Sequence, residues 1–227
     1  MRYSFALVAL SVFALAACSD DDATNPTPQG RVRVVHAISD VPKTDVLLDG
    51  TKVKAGLNYK AADGYRIGSV GQHPVKVRKE NAAADLVSVN QTVQADKDYT
   101  IIAYGSEAQP KSIALVDDNA APAAGKAKVR VVHAADGEPN VDVYVVEAEA
   151  DLATATAAAT NIAPGAASAY VTKDADTYFV ILTGVGNKTA VLTVQNVDLT
   201  NGKVRTIVAV EKAGGGTPLE GVKLDDR

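Results

Sequence analysis

The stretch Val32-Arg33-Val34-Val35-His36-Ala37 occurs twice: it returns as Val129-Arg130-Val131-Val132-His133-Ala134. The offset, 133 minus 36, is 97, and it holds downstream, where Pro42 matches Pro139, Asp45 matches Asp142 and Val46 matches Val143. A fixed spacing over such a length is the signature of an internal duplication. The copies also close alike, with Leu115-Val116-Asp117-Asp118 set against Lys223-Leu224-Asp225-Asp226, at an offset of 225 minus 117, or 108. The change from 97 to 108 predicts an insertion in the second copy, placed at residues 147–160, which are rich in Ala and Thr.

Within each copy apolar residues recur at every second position in short runs bounded by Gly, Pro, Asn and Asp, the period of half-buried strands. Val32, Val34 and His36 share one strand face and Arg33 the other; Val141, Val143 and Val145 alternate with Asp142 and Tyr144. Further strand-like runs are 75–78, 86–93, 99–104, 178–182, 190–194 and 205–210, and Asp49-Gly50 reads as a hairpin turn because both residues tolerate positive φ. Residues 153–159 read as a surface loop, Thr at alternate positions weakening any helix. The predicted fold is all-β: two tandem immunoglobulin-like antiparallel β-sandwich domains of around seven strands each, at 31–118 and 128–227, with a linker at 119–127. Tyr99 is placed for a tyrosine corner, its hydroxyl bonded back to the preceding turn; an edge tyrosine is the plainer alternative. With one cysteine in the chain, no disulfide can staple the sheets.

That cysteine, Cys18, ends an N-terminal segment ordered like a secretory signal: Met1-Arg2, then an apolar stretch to Phe13, then small residues from Ala14 to Ala17. The apolar part is shorter than the roughly 20 residues that span a bilayer. Ala16-Ala17-Cys18 resembles the lipobox of bacterial lipoproteins, which implies cleavage after residue 17, lipidation of Cys18, and a membrane partner reached through that lipid. Ordinary secretion with Cys18 as a stray thiol is the alternative, and an unpaired cysteine is a liability in an oxidising compartment. Residues 18–30, with Asp20-Asp21-Asp22 and two prolines, read as a flexible tether. Ser19 resembles outer-membrane sorting, so the expected location is the bacterial cell envelope, at the outer membrane, on its periplasmic face or the cell surface.

Without the signal, 22 Lys and Arg stand against 27 Asp and Glu, a net charge of minus 5. No basic stripe is present for nucleic acid, and no polybasic patch for anionic lipid.

The repeated motif, with Val141-Asp142-Val143-Tyr144-Val145, Asp151-Leu152-Ala153-Thr154, Asn161 to Tyr170 and Leu224-Asp225-Asp226, resembles a bacterial envelope family known only as a domain of unknown function, often found in tandem. The likeness is best over 128–226 and weaker over 31–118. It implies a fold and a location, and it carries no catalytic residue.

His36 and His133 are equivalent polar positions on strands of valine, where an imidazole faces the core and packs there with one hydrogen bond. They lack the convergent ligands of a zinc site and the nucleophile of a hydrolase. Gly184-Val185-Gly186-Asn187-Lys188-Thr189 resembles a phosphate loop but fails its spacing and joins two strands, so it reads as a hairpin. Asp117, Asp118 and Asn119 are weak calcium candidates at the linker; solvated strand-end carboxylates are the plainer account, since Asp225-Asp226 repeats them where no further domain follows. The sequence therefore predicts a non-enzymatic, lipid-anchored envelope protein without cofactor, acting in adhesion, scaffolding or binding of an envelope protein or polymer. The alternatives are a calcium- or small-ligand-binding module and, less favoured, a hydrolase.

Overall fold

In the computed structural model, residues 28–227 are described; Cys18, the signal segment and most of the tether lie outside them. The first copy holds β1 (Gln29–Ile38), β2 (Lys43–Leu48), β3 (Thr51–Asn58), β4 (Arg66–Ser69), β5 (Gly71–Lys79), β6 (Asp85–Val93), β7 (Asp98–Gly105) and β8 (Pro110–Asp117). The second holds β9 (Lys126–His133), β10 (Val141–Val146), β11 (Ala159–Ile162), β12 (Ala166–Ala167), β13 (Val171–Asp174), β14 (Asp176–Gly184), β15 (Ala190–Leu199), β16 (Val204–Val210) and β17 (Glu220–Asp225). Each copy has two sheets: β4-β1-β7-β8 against β3-β2-β5-β6, and β9-β16-β17 with β12 and β13 against β11-β10-β14-β15. The predicted strand runs all fall inside these elements.

Two features correct the expectation. The sheets are not wholly antiparallel, because β1 runs parallel to β7 and β9 parallel to β16. The copies carry eight and nine strands rather than seven. Parallel neighbours require a long crossover, and here the whole second sheet of each copy supplies it.

Inside the first copy Val32, Val34, Ile38, Val46, Val75, Val77 and Ile101 form the core between the two sheets. Val129, Val131, Val143, Val180, Leu182 and Ile207 do the same in the second. A third core lies between the copies. Val35, Ala37, Ile102, Tyr104 and Ile113 pack with Val132, Ala134, Val208, Val210, Val222 and Leu224, with Leu115 against them. The molecule is thus four stacked sheets, and β1, β7, β9 and β16 are buried on both faces, which is why Val34-Val35 and Val131-Val132 interrupt the period-two pattern.

The insertion in the second copy lies between β10 and β11, within the predicted stretch. It is not simply a loop: Glu149–Ala153 forms a 3-10 turn whose Leu152 packs with Tyr144, Val146 and Ile181 on the outer face of the sheet. The closing alignment moves by one residue, since Thr100 pairs with Leu115 and Thr206 with Leu224. Asp117 therefore corresponds to Asp226, an offset of 226 minus 117, or 109. The extra residues missed by the sequence lie mainly in the β16–β17 loop, where Gly214, Gly215 and Gly216 all take positive φ.

Candidate functional site

A dense gathering of charged side chains lies at the seam between the copies, at the end where the linker crosses. Arg33, predicted only to sit on the face opposite His36, points into the seam and is 4% exposed. Its guanidinium donates to Thr100 Oγ1 at 2.8 Å, to the Asp225 carbonyl at 2.9 Å and to the Asp226 carboxylate. Arg130 does the same from the other side, donating to Thr206 Oγ1 at 2.9 Å, to the Val116 carbonyl at 3.1 Å and to the Asp117 carboxylate. Thr100 and Thr206 donate hydroxyl hydrogen bonds to Asp117 and Asp226, each at 2.6 Å. Tyr65 and Tyr170 complete the pair: each donates its hydroxyl to the same carboxylate, at 2.6 and 3.1 Å, while its ring lies under the arginine, at 4.5 and 4.8 Å. Burial raises the pKa of both phenols, so they remain donors.

Within this network each contact from copy one to copy two has its mirror, the arrangement of an isologous interface inside one chain. Buried charges survive only when paired and hydrogen-bonded, and each arginine and each aspartate here has a full set of partners. This network is a joint. The sequence pattern does not reveal it, because period-two alternation places Arg33 only on the far side of a half-buried strand. The available signal was the arginine's recurrence between valines on a strand whose other neighbours are apolar on both sides.

Asp117, one of the calcium candidates, is therefore neither solvated nor free to bind a cation: its oxygens receive Arg130, Thr100 and Tyr65. Asp118 pairs with Lys128 at 2.6 Å, and that bond, more than burial opposes it, lowers its pKa. Asn119 turns its amide to Asp98 at 2.6 Å and to Tyr65 at 3.2 Å. Asp98 is pushed up by burial, but the bonds from Arg31 and Asn119 outweigh that push and hold it low. Among the described residues no group of three or more His, Cys, Asp or Glu stands close enough to hold a metal ion.

His36 and His133 lie fully buried on the inner face, as the alternation requires. His36 Nε2 donates to the Val41 carbonyl at 2.8 Å and its Nδ1 accepts the Ile38 amide at 3.3 Å. His133 Nε2 donates to Pro139 at 3.0 Å. Burial lowers both pKa values, that of His36 to about 4, so both rings are neutral fasteners of the turn after the first strand.

The third histidine had no predicted role. His73 sits between Asp49, at 2.8 Å from Nδ1, and Ser69, whose hydroxyl lies 3.4 Å from Nε2. The grouping looks like a nucleophile, base and orienting acid, but Nε2 is only 2.8 Å from the Ser69 carbonyl and spends its proton there. The Asp49 bond and that carbonyl raise the His73 pKa, because both accept from the ring nitrogens. It ties the end of β4 to the β2–β3 turn, where Asp49 and Gly50 adopt the predicted positive φ.

Asp45 and Asp142, matched in sequence, have matched duties. Asp45 accepts the amides of Gly56 and Asn81, and Asp142 those of Asn161 and Gly186. All four donors have positive φ, with Gly and Asn exchanged between copies. Residues 184–189 form the β14–β15 hairpin rather than a phosphate loop, and the Tyr99 hydroxyl accepts the Gln94 amide at 3.2 Å, closing the turn before β7.

The sequence model of one family, described as a domain of unknown function (DUF4397), matches residues 30–144. The chain belongs to the DUF4397 family. The match runs through the first copy into β10, the reverse of the weighting expected from the motifs, and it includes Arg33, Tyr65, Thr100, Asp117 and Arg130. It does not register a second DUF4397 copy. No curated protein matches the chain. Among solved structures, the Bacillus anthracis TIE protein is 10% identical, with a TM-score of 0.27, over 81% of this chain and 34% of that one, so the chain spans about a third of its length. The CBM26 module CBMbc of Eubacterium rectale Amy13K, solved in complex with maltoheptaose, is 12% identical, with a TM-score of 0.29, over 86% and 96%.

Proposed function

We propose that this DUF4397 protein is a lipid-anchored component of the bacterial cell envelope that works as a rigid, non-enzymatic scaffold or binding body. The observation that carries this reading is the seam. The arginines, aspartates, threonines and tyrosines with the chemistry to act on a substrate are fully engaged in clamping one copy to the other. Duplication followed by reciprocal clamping makes a stiff body where two separate beads would make a flexible one, and stiffness suits a spacer or a docking platform. The anchor rests on Cys18, preceded by Ala16-Ala17 and followed by an acidic, proline-bearing tether. The expected site is the outer membrane, and the partner an envelope protein or polymer.

Two experiments test the parts separately. Cys18→Ala should move the protein from the membrane fraction to the soluble one; a variant that still sediments with membrane contradicts the anchor. Cross-linking in intact envelopes followed by affinity isolation should return a defined partner under stringent washing, and a bare, uncross-linked chain would contradict the scaffold role.

A further inference from the structure

A strand at the edge of a sheet leaves every second residue's amide and carbonyl without a partner, and another chain can add there unless something blocks the way. Most edges of this molecule are blocked. β4, β11 and β13 have four residues each and β12 has two. β3 carries Lys52 and Lys54 and shifts register twice against β2. β8 opens with Pro110 and gives its Val116 carbonyl to Arg130, while β17 gives its Asp225 carbonyl to Arg33. β15 is bulged, its Asn196 takes positive φ, and the Lys223 ammonium donates to the Gln195 and Asn196 carbonyls at 2.7 and 3.0 Å.

The remaining edge is β6. From Val87 to Val93 its pairing with β5 is regular, and that length holds no charged residue, no proline or glycine and no positive φ. The ladder fixes which of its groups are free. The Asp49 amide donates to the Pro74 carbonyl, so Pro74 turns toward β2, and Asn90, which lies opposite it on β6, turns its own amide and carbonyl away from β5. Ser88, two residues earlier, does the same. Gln91 Nε2 donates to the Thr92 carbonyl at 2.8 Å, which leaves Ser88 and Asn90 as the open pair. Across the sandwich β8 presents Ala114 and Val116 on its core-facing side, because they pair with the core residues Ile101 and Tyr99, yet both are exposed, Val116 to 61%. The duplication supplies an internal control. At an offset of 223 minus 114, or 109, the second copy has Lys223 where the first has Ala114, and the Lys223 latch onto β15 closes the place that stays open beside β6.

We infer that β6 is a docking edge for a second copy of this chain, the two β6 strands running antiparallel about a two-fold axis at Val89. In that register Ser88 lies opposite the partner's Asn90, and the two exchange main-chain hydrogen bonds on both sides of the axis. Val89 meets its own counterpart, a β-branched pair suited to the closer, non-bonded position of the ladder. The occupant is a second copy because the edge complements itself: its free groups match under the two-fold axis, and no like charges meet between Val87 and Val93. The sheet β3-β2-β5-β6 would then continue into its partner as one sheet. One strand from each chain is a small contact, so the association is weak and depends on concentration. It stands whether or not Cys18 carries lipid, and it gives a rigid body a means of joining to the next.

Sedimentation equilibrium of the chain starting at Ser19, from micromolar to near-millimolar concentration, tests the inference. The weight-average mass should rise toward twice that of one chain. Asn90→Pro removes an amide that β5 does not use, and Ser88→Glu with Asn90→Glu sets like charges opposite each other on both sides of the axis. Each variant should weaken association on the order of tenfold with the thermal transition unchanged. Ser88→Lys with Asn90→Glu sets opposite charges there and should restore association, a result that a register shifted by one pair does not give. If Asn90→Pro lowers the thermal transition, the two charge variants, confined to exposed side chains, decide the matter. A parent chain that stays monomeric over the whole range overturns the inference, including one whose edge takes up a strand of different sequence, and so does a dimer that neither charge variant alters.

Discussion

The two copies share one fold and one joint, yet differ in how they treat equivalent positions, and the differences separate what the fold requires from what each copy adds. The six seam positions keep their apolar character: Val35 and Val132, Ala37 and Ala134, Ile102 and Val208, Tyr104 and Val210, Ile113 and Val222, Leu115 and Leu224. Arg, Thr, Asp and Tyr are kept without change. Elsewhere the copies diverge. Thr44 stands where the second copy has Val141, His73 where it has Tyr178, and only the second copy covers an outer sheet face with an insertion.

The largest effect should come from breaking the joint. Removing one member of a buried, hydrogen-bonded pair leaves the other charge stranded, at a cost of about 3–5 kcal/mol. Asp117→Ala and Asp226→Ala should each lose that much in chemical denaturation, and by similar amounts because their partners match. Strongly unequal losses would mean that the copies do not share the joint equally. Pairing Arg130→Met with Asp117→Leu should recover most of the loss, since no charge is left behind.

Acid should act next. A histidine whose folded pKa lies below its unfolded value near 6.5 stabilises the protein fully above 6.5, and the contribution is lost as pH falls toward the folded value. For His36, with a folded value of about 4, the loss between pH 6.5 and 4 is on the order of 3 kcal/mol. His133 adds in the same direction. Denaturation midpoints should fall through this window, and the nitrogen-15 shifts of the His36 ring should report neutral imidazole at pH 6.

Thr44 gives a gain. Its hydroxyl is fully buried and has no hydrogen-bond partner, so Thr44→Val, which installs the residue of the second copy, should raise stability by about 1 kcal/mol. The smallest effect belongs to His73. Its raised pKa has the opposite sense from that of His36: the contribution is complete below 6.5 and is lost as pH rises through the folded value. Tyr178 makes the pH-independent version of the same bond, to the carbonyl four residues back. In His73→Tyr the small alkaline decline in Tm should disappear.

The sequence made the duplication, the strand runs, the Asp49-Gly50 turn and the inward histidines legible, because each depends on period, spacing or local φ. The joint was not legible. A period-two pattern shows that one face of a strand is buried and does not tell what covers the other, and Arg33 or Arg130 on a second face reads as solvated until a partner sheet is known. Asp117 and Asp226 were seen, but the loop of three glycines and Pro218 shifted their alignment by one and hid their equivalence. The parallel pairing of β1 with β7 was equally hidden, since pairing partners far apart in sequence leave no local trace.

The central claim is that the two copies form one body. Differential scanning calorimetry of the mature chain tests it most directly. A single transition whose calorimetric and van't Hoff enthalpies agree is the predicted result, because separating the copies would bare the seam's apolar side chains and strand two buried ion pairs. Two resolved transitions, each of about half the total enthalpy and unmoved by Asp117→Ala, would contradict it.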